Sequence, residues 1–373
     1  KWQALPIHIV TFIFTSPSVI RFTLSVLYPL YRGLPTCNAI ISYCHIFINN
    51  ISAKTKVFRW KSVVYWIYFK RDACRTEPPG KAKWRNQKME QKTGLVLEGG
   101  GMRGIYTAGV LDLFMDQGVT FDGVIGVSAG AIHGCSFLSG QRGRNIRYYK
   151  KYCQDPRFMS VRNLILTGDI AGERFCYHTL PEKLDPYDYT AFNNNPAEFY
   201  VGCSNVETGK PEYLHLTDMK QQIDYLRASA SLPLVSKIVH AGGKKLLDGG
   251  CTDSIPVKAF MELGYPRNVV VLTRHRGYRK KAEGTRLTEL CYRHYPAFVK
   301  TIKNRPSVYN RTLDEIESLE NSGQTFVIRP SRPLTIGRME KDPQKLQLVY
   351  ELGYQDAARC LLDLLSWKQG PAR

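Results

Sequence analysis

Residues 124–131 read Val-Ile-Gly-Val-Ser-Ala-Gly-Ala, an apolar run that passes through the pattern G-x-S-x-G into a series of small residues. This pattern predicts a β-strand that turns sharply into a helix, with Ser128 at the turn in a strained backbone conformation. Gly126 and Gly130 leave no Cβ in the turn, so the serine hydroxyl is presented at the carboxyl end of a sheet. Because G-x-S-x-G also occurs by chance, an incidental serine in a core turn remains an alternative.

A glycine-rich loop precedes this turn in the chain. Residues 94–97, Gly-Leu-Val-Leu, form a short apolar run, and Glu98 then leads into Gly-Gly-Gly-Met-Arg-Gly at 99–104. Apolar residues follow at helical spacing as far as Gly118, so we predict a strand, a tight turn and a helix. Glycines allow a ligand to approach the backbone closely, and free N–H groups at a helix start favour an anion.

The same loop satisfies the dinucleotide pattern G-x-G-x-x-G through Gly99, Gly101 and Gly104. In a nucleotide site, an acidic residue should end a second strand about 20 residues further on. The nearby candidate, Asp122, precedes the next predicted strand instead. A nucleotide- or phosphate-binding module without hydrolase activity is therefore the alternative function.

A serine nucleophile needs a base to accept its proton. The chain has eight histidines, none in a recognisable motif. We expect His133 to pack under the sheet, and a solvated basic surface explains His275 and His294. Residues 244–250, Lys-Lys-Leu-Leu-Asp-Gly-Gly, predict a short strand that runs into a turn at Asp248, although this pattern taken alone signals only a turn.

The glycine-rich loop, the G-x-S-x-G turn and the D-G-G turn together resemble the patatin-like phospholipase family, including its bacterial members, in which a Ser-Asp dyad replaces the catalytic triad. The resemblance covers about residues 94–275 and includes Ala228–Pro233, which is similar to the block before D-G-G in the family. It implies that Ser128 is the nucleophile and Asp248 the base.

The resemblance also implies that the loop forms the oxyanion hole, mainly through the N–H groups of Gly100 and Gly101, with help from Met102 or Ala129. Arg103 then supports the loop rather than acting as a catalytic acid. The implied sites are the oxyanion hole (Gly99, Gly100, Gly101, Met102, Arg103 and Gly104), the nucleophile turn (Gly126 and Gly130) and the D-G-G glycines (Gly249 and Gly250).

The implied activity is that of a serine lipid acyl hydrolase, an esterase of phospholipase or lysophospholipase type that forms an acyl-serine intermediate and needs no metal or organic cofactor. The implied fold is α/β, a three-layer αβα sheet with helices on both faces and a mostly helical C-terminal extension. The expected partners are a lipid ester and, transiently, a membrane surface, in a cytoplasmic protein that binds no nucleic acid. A scaffold or membrane-tethered regulator with a dead site is a third hypothesis.

Charge divides the 373-residue chain unevenly. Its net charge is +20, and residues 1–88 hold 14 Lys and Arg against two acidic residues. Because most of the positive charge lies in residues 1–88, the net charge of the whole chain is poor evidence that the remaining residues bind nucleic acid. We expect residues 1–88 to be an extension that is either membrane-associated or not part of the native protein. The second alternative arises because Met89 stands where the open reading frame of such a protein would start. We then expect a catalytic domain at 89–275 and a C-terminal helical region packed on the core at 276–373.

The ten cysteines contain no C-x-x-C pair and no metal-ligand spacing, which favours free thiols in a reducing compartment. Residues 274–286 carry six Lys and Arg and form either a solvated loop or a surface that faces anionic headgroups. The remaining patterns predict strands at 198–204, 212–216, 269–273 and 325–329, and helices at 287–303, 309–322 and 342–367.

Overall fold

The computed structural model describes residues 91–282 and 284–370. The predicted N-terminal extension, residues 1–88, lies outside the described residues.

The strands of the described residues form one mixed sheet. They are β1 (Thr93–Leu97), β2 (Gly123–Val127), β3 (Glu198–Asn205), β4 (Pro211–Leu216), β5 (Val239–Ala241), β6 (Lys244–Asp248), β7 (Arg267–Val271) and β8 (Thr325–Ile328). Their order across the sheet is β5-β6-β3-β2-β1-β7-β8. Strand β4 is not in this series but pairs with β3 as an additional strand. Strands β3, β2, β1, β7 and β8 are parallel, whereas β4 and β6 run antiparallel to β3.

Helices connect these strands. They are α1 (Ile105–Asp116), α2 (Ala129–Leu138), α3 (Arg144–Tyr152), α4 (Val161–Thr167), α5 (Tyr189–Asn193), α6 (Ile223–Ser229), α7 (Val257–Glu262), α8 (Arg286–Cys291), α9 (Pro296–Asn321), α10 (Pro343–Arg359) and α11 (Leu361–Gln369). Two 3₁₀ turns, Gly101–Gly104 and Gly249–Cys251, and a π-helix, Phe175–Leu184, complete the described secondary structure.

The central strands are buried on both faces, as parallel strands covered by helices must be. In β1, Leu95 and Leu97 join the core that contains α1 and α10, while Val96 joins a second core that contains Phe260 of α7 and Ile316 of α9. This alternation follows from the two-residue period of a strand. The prediction of an α/β sheet with helices on both faces and a helical C-terminal part is confirmed.

The C-terminal elements differ in detail from their predicted spans. The two helices predicted at 287–303 and 309–322 are instead a short α8 and one continuous helix, α9, which runs through Pro306. The helix predicted at 342–367 breaks at Cys360. After this break, Trp367 of α11 donates a 2.7 Å hydrogen bond to the Gly323 carbonyl. The local pattern thus predicts helices in this region but not where each one begins and ends.

Helix α10 packs directly against α1, the helix that follows the glycine-rich loop. A Cβ on Gly109 would lie 2.0 Å from the Tyr350 carbonyl oxygen, and a Cβ on Gly353 would lie 2.0 Å from the carbonyl oxygen of Tyr106. The Tyr350 hydroxyl donates a 2.7 Å hydrogen bond to Asp112. The C-terminal region therefore fixes the position of α1 through backbone contact.

Gly109→Ala should lower the free energy of unfolding by about 1–3 kcal/mol, because the added methyl overpacks a contact between two backbones. Urea unfolding followed by circular dichroism measures this loss. Gly284→Ala is the control, since a Cβ there meets nothing within 4 Å. Equal stability of the two variants would contradict the backbone contact between α1 and α10.

Candidate active site

Ser128 occupies a strained turn between β2 and α2. Its backbone has φ 56° and ψ −121°, in the left-handed half of conformational space that non-glycine residues avoid. A Cβ on Gly126 would lie 2.5 Å from the backbone nitrogen of Ala131, and one on Gly130 would lie 2.3 Å from the carbonyl oxygen of Leu97. Each glycine of G-x-S-x-G is thus required by close backbone packing, and the turn has the predicted form.

Ser229, at the end of α6, holds this turn in place. Its buried hydroxyl accepts a 2.8 Å hydrogen bond from the Ser128 backbone N–H and donates a 2.6 Å bond to the Gly202 carbonyl on β3. No motif in the sequence predicts this role for Ser229. The signal available was its place within Ala228–Pro233, the block that resembles the family.

Strand pairing brings Asp248 next to Ser128 despite their separation along the chain. Val127 of β2 pairs with Gly202 of β3, and the next residue of β3, Cys203, pairs with Asp248 at the end of β6. Both side chains therefore stand at one edge of the sheet, on either side of β3. The two residues that the resemblance singled out are thus neighbours in the structure.

The Asp248 carboxyl group is buried, with an exposed fraction of 2%. Its Oδ1 accepts a 2.7 Å hydrogen bond from the Gly250 N–H, whereas the buried Oδ2 has no hydrogen-bond partner within the described residues. Burial raises the pKa of this carboxyl, and the Ser128 hydroxyl and Arg305 oppose the rise. The Ser128 hydroxyl lies close enough to lower the pKa of Asp248, although the two groups are outside hydrogen-bond geometry.

The D-G-G glycines allow the turn to lie against β3. A Cβ on Gly249 would lie 2.2 Å from the Gly202 carbonyl oxygen, and a Cβ on Gly250 would lie 2.9 Å from Oδ1 of Asp248. Arg305 of α9 donates a 2.5 Å hydrogen bond from Nε to the Gly250 carbonyl. The C-terminal region thus braces the turn that carries Asp248.

The glycine-rich loop runs beside Ser128. A Cβ on Gly99 would lie 3.1 Å from that of Ser128, and Gly101 has a positive φ of 58°. The Met102 N–H donates a 3.1 Å bond to the Arg338 carbonyl. The N–H groups of Gly100 and Gly101 have no acceptor within the described residues, so these two donors remain for a ligand.

Glu98 anchors the start of this loop, a role that the sequence analysis missed. This buried carboxylate accepts 2.6 Å hydrogen bonds from the Tyr309 hydroxyl and from the Thr273 N–H. Tyr309 lies one turn after Arg305 on α9. The helix therefore contacts both the glycine-rich loop and the D-G-G turn.

Ser128 lies where two cavities of different character meet. The larger, about 150 Å³, is lined mainly by apolar side chains that include Ile132, Phe158, Leu180 and Leu226. The smaller, about 40 Å³, is polar and contains Asp248, Glu98 and several basic side chains. Ser128 borders both cavities. The site can therefore place an apolar chain on one side of the hydroxyl and a polar group on the other.

Other sequence candidates lie away from this site. His133 is fully buried, its pKa is lowered to about 4 by burial, and its ring is 5.5 Å from that of Tyr149. No histidine within the described part of the chain lines either cavity. Asp122 accepts a 2.6 Å hydrogen bond from the Thr93 N–H. Among residues 91–282 and 284–370, no cluster of His, Cys, Asp and Glu could hold a metal ion.

Comparisons with known proteins agree with the arrangement of motifs. Residues 95–261 match the family model described as patatin-like phospholipase, and residues 295–369 match a domain of unknown function, DUF6363. The chain is 31% identical over 186 residues to uncharacterized protein YjjU of Escherichia coli, covering 49% of this chain and 52% of YjjU. It is 28% identical over 189 residues to lysophospholipase NTE1 of Cryptococcus neoformans, covering 49% of this chain and 11% of NTE1.

Among solved structures, VipD from Legionella pneumophila is similar with a TM-score of 0.36 and 13% identity, over 73% of this chain and 67% of VipD. The chain thus spans about half of YjjU and a small part of NTE1. The family match contains the glycine-rich loop, the G-x-S-x-G turn and the D-G-G turn. Residues 95–261, which carry all three motifs, are thus similar to the patatin-like phospholipase family.

Proposed function

We propose that this protein is a serine lipid acyl hydrolase, a carboxylic ester hydrolase of phospholipase or lysophospholipase type. The observation that carries the proposal is the position of Ser128 at the junction of an apolar and a polar cavity, next to a buried carboxylate with an unpartnered oxygen. An amphiphilic ester fits such a junction, because its acyl chain and its polar alcohol need opposite surroundings.

Asp248 is the base in this proposal. A carboxylate in water is too weak a base to activate a serine, but burial raises the pKa of Asp248. Its Oδ1 is held by the Gly250 N–H, which leaves Oδ2 to take the proton. The N–H groups of Gly100 and Gly101 are placed to stabilise the developing oxyanion, a contribution of about 3–4 kcal/mol in comparable sites.

The reaction then runs in two steps. Ser128 Oγ attacks the ester carbonyl while its proton passes to Asp248 Oδ2, and collapse of the tetrahedral adduct breaks the ester C–O bond and returns that proton to the leaving alcohol. A water molecule next attacks the acyl-serine and gives a proton to Asp248. The second collapse releases the fatty acid, and the proton returns to Ser128.

A lipid surface is the proposed source of the substrate. Helix α4 exposes Val161, Ile165 and Leu166 by 63%, 78% and 67%, and the flanking Met159 and Ile170 line the apolar cavity. Exposed apolar side chains at a cavity mouth favour contact with a bilayer interface. Among the described helices, none combines the length and apolar character needed to cross a bilayer.

A fluorophosphonate probe should label the wild-type protein and fail to label Ser128→Ala, because the probe reacts with an activated serine. Asp248→Asn should slow labelling at least 100-fold. Ser136→Ala, on the same helix but outside both cavities, serves as the control and should still be labelled. Equal labelling of Ser128→Ala and wild type would exclude Ser128 as the nucleophile.

The acid limb of the kcat/KM profile should lie above pH 3.8, the ordinary pKa of an aspartate, because Asp248 accepts a proton only when ionised and burial raises its pKa. Below that limb, kcat/KM should fall tenfold per pH unit. Burial also makes ionised Asp248 destabilising, so Asp248→Asn should be at least as stable as wild type at pH 8. An activity that stays constant down to pH 3 would count against this base.

The double variant Ile165→Ser with Leu166→Ser should lose at least fivefold in hydrolysis of a vesicle-borne ester while keeping its rate on a short-chain ester dissolved in water. The reason is that both side chains project from α4 without lining either cavity. Leu362→Ser, on α11 and 80% exposed, is the matched control. Equal losses in the two variants would contradict a specific membrane contact by α4.

A further inference from the structure

The polar cavity beside Ser128 carries more positive than negative charge. Five basic side chains line it: Arg103, Arg274, Lys280, Arg305 and Arg338. Two carboxylates, Glu98 and Asp248, face them. Glu98 already accepts hydrogen bonds from Tyr309 and Thr273, so it is engaged in holding the loop. The cavity has an excess of cations in the place where the polar part of a substrate would lie.

Arg103 is the most deeply buried of these five cations. Its side chain is 93% buried (7% exposed) and makes no hydrogen bond or ion pair within the described residues, and its Nε is fully enclosed. Burial, together with the charges of Arg274 and Arg338, lowers the pKa of Arg103 to about 10, although the charge of Glu98 opposes this shift. A buried cation without a partner is costly, and a bound anion would compensate it.

Arg274 and Arg305 enter the same cavity from different segments. The Arg274 guanidinium lies 4.2 Å from the centre of the Tyr278 ring, is half-buried and makes no ion pair within the described residues. Arg305 uses Nε to bind the Gly250 carbonyl and likewise has no ion-pair partner in the described chain. Guanidinium groups bind phosphate oxygens through short, charge-assisted hydrogen bonds, so three of them suit a phosphate group.

We propose that Arg103, Arg274 and Arg305 form a phosphate subsite that binds the headgroup phosphate of the lipid ester cleaved at Ser128. This inference rests on the proposed hydrolase function and narrows its substrate to esters that carry a phosphate near the scissile bond. Arg274 lies beyond residues 95–261, and Arg305 lies within residues 295–369, the segment that matches a domain of unknown function. That C-terminal domain therefore supplies part of the substrate site.

The experiment measures palmitate release from two esters that carry the same acyl chain and differ in the phosphate group, 1-palmitoyl lysophosphatidate and 1-palmitoylglycerol. Both are used below the concentration at which they aggregate. Wild type should have the higher kcat/KM for the phosphate ester. Arg274→Gln should lower the ratio of the two kcat/KM values at least tenfold, mainly through KM. Arg276→Gln, an exposed neighbour that pairs with Glu320 outside the cavity, should leave the ratio within twofold.

Each other outcome has a distinct meaning. Cleavage of both esters with an unchanged ratio in Arg274→Gln would overturn the phosphate subsite while leaving the hydrolase proposal intact. If wild type cleaves neither ester and resists fluorophosphonate, the hydrolase proposal fails. Calorimetric titration with glycerol 3-phosphate then tests the subsite separately: wild type should bind this compound and Arg274→Gln should not. Inorganic phosphate that binds through Arg274 but does not compete with lysophosphatidate would indicate a free-phosphate site and overturn the headgroup assignment.

Discussion

The pairing of β3 with β2 and with β6 is the constraint on which the site depends. β2 delivers Ser128 on one side of β3 and β6 delivers Asp248 on the other, at adjacent register positions. A slip of one residue in either pair would turn the side chains to the opposite face of the sheet. Gly126 lets the start of α2 fold back onto β2, Gly202 leaves room for the Val127 side chain, and Gly249 lets the D-G-G turn lie against the backbone of β3.

The electrostatics of Asp248 is a balance between burial and nearby cations. Burial raises its pKa and makes it a better base, while Arg305 favours the ionised form and lowers the pKa again. Both effects serve the proposed reaction, because the carboxyl must be ionised at the start and must bind a proton in the transition state. Arg305 also fixes the D-G-G turn, so a single side chain links the position of the base to its proton affinity.

The C-terminal region is part of the framework that holds the candidate site. It adds β8 to the sheet, packs α10 against α1 and places α9 across the glycine-rich loop and the D-G-G turn. In our proposal, it also provides the positive charge that distinguishes the polar cavity from the apolar one. The C-terminal segment therefore contacts both the core of the fold and the loops of the candidate site.

The sequence by itself determined the strained turn at Ser128, the glycine-rich loop, the Asp248 turn and most strand positions, because each depends on residues within a few positions of one another. The proximity of Ser128 and Asp248 was expected from the family resemblance rather than from the spacing, and the order of the strands comes from the structure alone. Only the tertiary structure revealed Ser229, Glu98, Tyr309 and Arg305 as supports of the site. Their contacts join residues 27 to 211 positions apart, and a local pattern contains no information on which distant groups folding will bring together.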